Sequence, residues 1–297
     1  MQVLEKLNIA INLKSEPKKF GVLILNCTPQ TNSFKGEILG RSLTDWVAFA
    51  CENLPIKVVE YKNKDNILKF VKDYVLPNID YTIILLSTTP LLQGVVIDEI
   101  KQYCIIKDIG ICKLPVGYVV NNKYILDNEN CIVDSVYSQH IEDFYVVESK
   151  KQFGYALEVL QDRINSFHIG NGVDIRKPKS VYIEPEVDID EGVVIYPNNS
   201  LKGNTKISKD VILKDNNVIE NSKIGNNCCI SGSVISGSII SSDVYISSFC
   251  DINNSLIGSY TTIGSGSKVN NYNINNNTKL APNTVLGEED DSNSGTR

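Results

Sequence analysis

Residues 183–224 read IEPEVDIDEGVVIYPNNSLKGNTKISKDVILKDNNVIENSKI. Branched apolar residues fall at Ile183, Ile189, Ile195, Leu201, Ile207, Leu213 and Ile219, always six apart. Neither the period of an α-helix nor the alternation of a plain strand produces that spacing. The ladder slips by one residue and resumes at Ile224 and Ile230, then at Ile235. It continues through Ile240, Ile246, Ile252, Ile257, Ile263, Val269, Ile274, Leu280 and Leu286. Four residues after most rungs stands a small, β-branched or turn-forming residue, among them Val187, Val193, Asn199, Thr205, Val211, Cys250, Thr261, Ser267 and Thr284. Self-similarity at six residues marks a parallel β-helix of hexapeptide repeats, in which each rung points into a narrow shaft. Asn and Gly gather at the intervening positions (Gly203-Asn204, Gly225-Asn226-Asn227, Asn253-Asn254), where corners need a positive φ. The slips after residues 219, 230, 235, 252 and 269 read as shortened corners, and about six coils are expected. A β-sandwich of short strands has no reason to hold a six-residue register over this length.

Upstream the pattern changes. FGVLILN (20–26), IKVVEY (56–61) and YTIILLS (81–87) are apolar runs of strand length. Between them lie two amphipathic helical stretches, 37–52 (Leu39, Leu43, Trp46, Val47, Ala50) and 64–76 (Ile67, Phe70, Val71, Tyr74, Val75). A third helix is expected over 94–105, and VGYVV with CIVDSVY supplies further strands. Such alternation predicts an α/β domain with a parallel sheet covered on both faces. The expected division is an α/β domain over 1–147, a linking exit helix over 148–173, the β-helix over 174–287 and a disordered acidic tail over 288–297.

Composition narrows the partners. The 297 residues carry a net charge of −6 and are 42% apolar, which suits packed domains and excludes a disordered chain. Without a basic excess, nucleic-acid binding is not expected. No apolar run is long enough to span a bilayer, and the opening MQVLEKLNIAINLKSEPKKF has no signal-peptide core, so no membrane role and a cytoplasmic location are expected. The eight cysteines include no C-x-x-C pair and read as reduced thiols.

The stretch YVVESKKQFGYALEVLQDRINSFHIGNGVDI resembles the exit helix of the bifunctional N-acetylglucosamine-1-phosphate uridyltransferase / glucosamine-1-phosphate acetyltransferase family. The likeness is carried by Arg163, Ile164, Asn165, His168, Asn171, Gly172 and Val173, and it extends over about residues 145–260. It implies an α/β nucleotidyltransferase-like (Rossmann-like) domain followed by a left-handed β-helix, with Mg²⁺ as cofactor of the first activity. It also implies a homotrimer made through flat faces of the β-helix, burying outward apolar residues such as Val194, Val234 and Ile239.

The departures from the family decide the functional expectation. Its Gly-rich nucleotide loop, L-x-x-G-x-G-T-R-M, falls here on Leu25-Asn26-Cys27-Thr28-Pro29-Gln30-Thr31-Asn32-Ser33, which has no glycine or arginine, and Pro29 removes one N–H donor. In the family's GD-x-P motif, LLSTTPLL places Ser87 and Thr88 at the Gly and Asp. A neutral hydroxyl at Thr88 is a poor magnesium ligand, while the second ligand position falls on Glu148, which has a carboxylate to offer. The family's uracil-reading G-T-x-H-A segment has no counterpart. The acetyltransferase base is a β-helix histidine in the family, but His140 and His168 both precede the β-helix, and the family's phosphate-binding Arg falls on Asn253.

Both histidines read as structural, and Lys18, Lys19 and Lys35 as solvated loop residues with some capacity to attract an anion. No catalytic or nucleotide-binding residue is identified. Three functions stay open. They are a scaffold, regulatory or partner subunit that has lost both sites, a surviving nucleotidyltransferase making UDP-N-acetylglucosamine or a similar product, and a nucleotide-sugar binding module without turnover.

Overall fold

The structure, a computed structural model, describes residues 17–27, 37–62, 67–129 and 131–287. It divides into two compact units, Met1–Glu37 with Arg41–Ala156 and Ile38–Gly40 with Leu157–Arg297. Among the described residues no helix is long and apolar enough to cross a membrane.

In the first unit, six strands lie in the order β2-β1-β3-β5-β4-β6: β1 (Phe20–Asn26), β2 (Ile56–Glu60), β3 (Tyr81–Leu86), β4 (Ile111–Lys113), β5 (Tyr118–Asn121) and β6 (Ser135–Val136). β1 pairs in parallel with both β2 and β3, but β5 runs antiparallel to β3 and to β4, so the sheet is mixed where a parallel one was expected. The cause is a hairpin that the sequence hides. Leu114-Pro115-Val116-Gly117 turns β4 back into β5, with Leu114 N–H donating to the Gly117 carbonyl at 3.1 Å. Gly117 takes φ 105°, and a Cβ there would stand on the Ile84 carbonyl oxygen, so only glycine lets β5 approach β3.

Alternate residues of β1 and β3 feed two cores. Val22, Ile24, Ile83 and Leu85 pack with Val47 of α1 (Leu43–Ala50) and with Val96, Ile97 and Ile100 of α3 (Gly94–Lys107). Leu23, Leu25 and Ile84 pack with Val71 of α2 (Ile67–Val71) and Ile125 of α4 (Asn122–Asp127). Both faces are covered, as the alternation of strand and helix requires.

Two helices are shorter than their apolar spacing suggests. α1 starts at Leu43 because Ser42 caps it in a reciprocal capping box with Asp45. Leu39, expected on that helix, sits at φ 50°, followed by Gly40 at φ 76°, in the turn before the cap. α2 gives way to a 3₁₀ turn, Lys72–Tyr74, and residues 64–66 of the expected 64–76 helix lie outside the described residues. The exit helix α5 spans Lys150–Gly170, inside the 148–173 segment expected for it.

The second unit is a three-sided solenoid of two- and three-residue strands. Its first face runs from Asp174–Ile175 to Lys279–Leu280 in seven strands, its second from Tyr182–Ile183 to Val285–Gly287 in seven, and its third from Asp188–Ile189 to Asn273–Ile274 in six. Seven coils therefore begin, against about six expected. The missed rung is Ile175, set apart from Ile183 by the inserted turn Pro178–Ser180. Rungs from Ile175 to Ile274 are all buried and form one continuous core.

Register explains the slips. Leu201 pairs with Ile219, 219 − 201 = 18 residues on, whereas Ile219 pairs with Ile235, only 235 − 219 = 16 on. Four of the five slips, after Ile219, Ile235, Ile252 and Val269, fall at one corner between the second and third faces. Asn221, Asn254 and Asn271 hold positive φ there. Rung still stacks on rung, so the corner absorbs each deletion.

Outward residues do not gather as expected. Val194 lies on the first face, Val234 on the second and Ile239 on the third, so no single flat face buries all three. The apolar outward stripe is on the first face, where Val194, Ile212, Cys229 and Tyr245 stack in register.

The second inner column is partly polar and satisfies itself along the stack. Asn217 Nδ2 donates to Asn199 Oδ1 (2.8 Å) and to the Lys214 carbonyl (2.6 Å), and Asn217 Oδ1 accepts from Ser233 N–H (3.0 Å). Ser233 Oγ then accepts from Cys250 N–H at 3.1 Å. Beside it, Ser222, Ser238 and Ser255 pass the same bond from coil to coil. Asn217→Ala is expected to destabilise the solenoid by about 3 kcal/mol or more in urea unfolding, because it orphans several buried partners at once.

His168, in the last turn of α5, is 5% exposed. Burial pushes its pKa below the ordinary histidine value, against a smaller upward pull from Asp188. The folded state disfavours the proton and the unfolded chain accepts it, so stability falls as pH drops below about 6.5. His168→Gln is expected to flatten that part of the pH dependence of the urea midpoint.

Candidate functional site

β1 is flanked by β2 on one side and β3 on the other, all three parallel. The chain leaving β1 goes to β2 on one side and the chain leaving β3 goes to β4 on the other, and open sheets of this kind bind ligands at the carboxyl edge of that switch point. Five residues lie there: Asn26 at the end of β1 and Cys27 just after it, Glu60 at the end of β2, and Ser87 and Thr88 in the turn after β3.

Hydrogen bonds lock this edge. Asn26 Nδ2 donates to Glu60 Oε1 at 2.6 Å, and Ser87 Oγ donates to Asn26 Oδ1 at 3.2 Å. Ser87 Oγ also accepts from Cys27 N–H at 3.3 Å, and Ser87 N–H reaches the Leu25 carbonyl at 3.0 Å. Thr88, 5% exposed, accepts Val147 N–H on its carbonyl at 2.8 Å. That bond brings the chain just before α5 onto the edge, so the two sequence-predicted ligand positions, Thr88 and Glu148, are carried by adjoining segments. Glu148 itself is exposed, and its N–H donates to Gln152 Oε1 at 3.0 Å.

Burial first, then the charges of Glu148 and Glu60, push the Cys27 thiol up, so the thiolate is disfavoured at this edge. The described residues offer hydroxyls, one amide and carboxylates, a set suited to donors or a hard cation rather than to phosphate oxygens. The remainder of the expected nucleotide loop, residues 28–36 with Lys35, lies outside the described residues, as does the 288–297 tail. Lys18 and Lys19 precede β1, at the opposite edge, where Lys19 N–H binds Asp80 Oδ2 at 2.7 Å.

One cluster escaped the sequence reading. His140 Nε2 lies 2.9 Å from Glu99 Oε2, and its Nδ1 lies 3.8 Å from Asp143 Oδ2. His140, Glu142 and Asp143 are the one group among the described residues with three His, Cys, Asp or Glu ligand atoms within 4.8 Å of one another. Asp143 also accepts from Gln93 Nε2 at 3.0 Å, which ties it to the fold. The cluster joins α3 to the 3₁₀ turn Ile141–Phe144, and only Glu142 and Asp143, close to His140 in sequence, could have signalled it.

In the solenoid, Asn253 stands on the second face, with Nδ2 held by Asp251 Oδ1 at 2.7 Å. No histidine occurs in residues 174–297.

Comparison with known proteins agrees with the position of the repeats. The family description "GlmU-like, C-terminal hexapeptide" matches residues 206–296. The bifunctional protein GlmU of Clostridium beijerinckii is 32% identical over 172 residues, covering 58% of this chain and 38% of that protein. GlmU of Clostridium acetobutylicum is 34% identical over 165 residues (55% and 36%), and that of Clostridium tetani 37% over 150 (50% and 33%). The chain thus spans less than two fifths of the curated relatives it matches. Among solved structures, the acetyltransferase domain of PglB from Neisseria gonorrhoeae aligns over 90% of this chain and 96% of its own at 9% identity. Its TM-score of 0.22 is too low to carry an argument. By its C-terminal half, this chain is a relative of the GlmU family.

Proposed function

We propose that this protein is a scaffold, regulatory or partner subunit derived from the bifunctional family, a pseudoenzyme in both of the family's reactions. The observation that carries the reading is Thr88. The position that aligns with the family's metal-binding Asp holds a buried neutral hydroxyl at the switch-point edge. A hydroxyl leaves Mg²⁺ without the charge that would balance it beside a pyrophosphate. The absence of histidine from the solenoid supports the same reading for acetyl transfer. In this reading the first unit is nucleotidyltransferase-like, the solenoid is left-handed and the protein works in the cytoplasm.

The first test is pyrophosphate release from UTP and N-acetylglucosamine-1-phosphate with Mg²⁺, using EDTA as control. No metal-dependent turnover is expected. Turnover abolished by Glu148→Gln would overturn the reading in favour of a nucleotidyltransferase with a metal site rebuilt around Glu148. A nucleotide sugar that raises the melting temperature without product would favour a binding module.

The scaffold works as a homotrimer joined through the first solenoid face, whose outward Val194, Ile212, Cys229 and Tyr245 form a continuous apolar stripe. Burying such a stripe against its copies removes apolar surface from water. Light scattering is expected to give three times 33.0 kDa for the wild type. Ile212→Asp with Tyr245→Asp is expected to bring the mass to that of one chain while circular dichroism stays unchanged.

A further inference from the structure

His140 stands between two carboxylates. Its Nε2 lies 2.9 Å from Glu99 Oε2 on α3, and its Nδ1 lies 3.8 Å from Asp143 Oδ2 in the 3₁₀ turn Ile141–Phe144. His140, Glu142 and Asp143 each bring one ligand atom within 4.8 Å of the others. We propose that these three residues bind a divalent cation of the zinc class, with His140 coordinating through Nδ1 and Glu99 orienting its ring.

The ring's hydrogen bonds fix its tautomer. Glu99 Oε2 accepts from Tyr137 O–H at 3.3 Å as well as from His140 Nε2. Burial first, then the Glu99 charge, pushes the Tyr137 phenol up to about 12, so the phenol stays a donor. A carboxylate has no hydrogen to give, so His140 carries its hydrogen on Nε2. In the neutral ring the Nδ1 lone pair then faces Asp143 Oδ2, and their 3.8 Å separation is beyond hydrogen-bond reach. A nitrogen and an oxygen each bound to one zinc ion at about 2.1 Å stand roughly 3.4 Å apart at the tetrahedral angle. A closing movement of about 0.4 Å reaches that value. A carboxylate on the far nitrogen is also how histidine ligands are commonly oriented and made more basic.

Asp143 is 2% exposed, and its Oδ1 accepts from Gln93 Nε2 at 3.0 Å, so this carboxylate is held in place before any ion arrives. A patch of solvated acids has no such fixed member. Glu142 is exposed and closes the site from the solvent side. The nitrogen ligand selects the metal. Mg²⁺ and Ca²⁺ take oxygen ligands, whereas one imidazole with two carboxylates suits zinc. Three protein ligands leave the fourth position to water. The site shares no residue with the Thr88 and Glu148 positions, so it stands whether or not the pseudoenzyme reading does.

The test titrates the full chain with zinc chloride by calorimetry, with magnesium chloride as control, and follows the histidine ring nitrogens by NMR. Saturable zinc binding and no magnesium binding are expected. The chain has two histidines, and zinc is expected to move the Nδ1 signal of His140 while leaving His168 unchanged. That readout separates the site from the eight cysteines, whose thiols also bind zinc. Glu142→Gln, at an exposed position where the fold tolerates it, is expected to weaken binding about tenfold or more. Glu99→Gln is expected to weaken it about tenfold as well, by loosening the ring. The proposal is overturned by zinc binding that leaves the His140 signals unmoved, by equal binding of magnesium, by no saturable binding, or by unchanged affinity in Glu142→Gln.

Discussion

The stacking of one rung on the next, in parallel register, is the constraint on which the second unit depends. A two-residue strand such as Val194–Ile195 has no stability alone. It gains its hydrogen bonds from Asp174–Ile175 on one side and Ile212–Leu213 on the other, and its core only because Ile175, Ile195 and Leu213 stack in the same shaft. The coil can then vary wherever the stack is unaffected. Deletions accumulate at the corner between the second and third faces, where one left-handed residue, Asn221, Gly237, Asn254 or Asn271, stands in place of Gly203-Asn204. The polar inner column obeys the same rule, since each buried Asn or Ser is satisfied by the coil next to it.

The first unit is held by a different logic. Its central strands are buried on both faces, so their polar chemistry appears only at the ends, and the β1–β3 switch point gathers it at the carboxyl edge. The side chains at that edge are spent largely on one another, through the Asn26–Glu60 and Ser87–Asn26 bonds. An edge that satisfies itself is rigid and has few free groups to offer a substrate, which fits the scaffold reading. Beside α5, the Asn165 amide anchors the first coil through the Pro178 and Val181 carbonyls.

Much of this was legible along the chain, because the period-six ladder, the apolar strand runs and the exit helix are local patterns with direct physical causes. Ile175 was not, since the turn at Pro178–Ser180 breaks the spacing before it. Nor was the β4–β5 hairpin, because Ile111–Lys113 is too short to stand out and Gly117 reveals its purpose only against Ile84. Capping by Ser42 cut short a helix that apolar spacing alone would have extended back to Leu39.

By itself the sequence determined the architecture of the solenoid and the two-sided core of the first unit, since these follow from residue identity and period. Only the tertiary structure decided which outward residues share a face, that Thr88 and the chain before Glu148 adjoin, that His140 meets Glu99, and that Asn165 anchors the carbonyls of Pro178 and Val181. Each of these joins segments far apart in the chain or depends on which atom a neighbour occupies, and no spacing along a sequence encodes that.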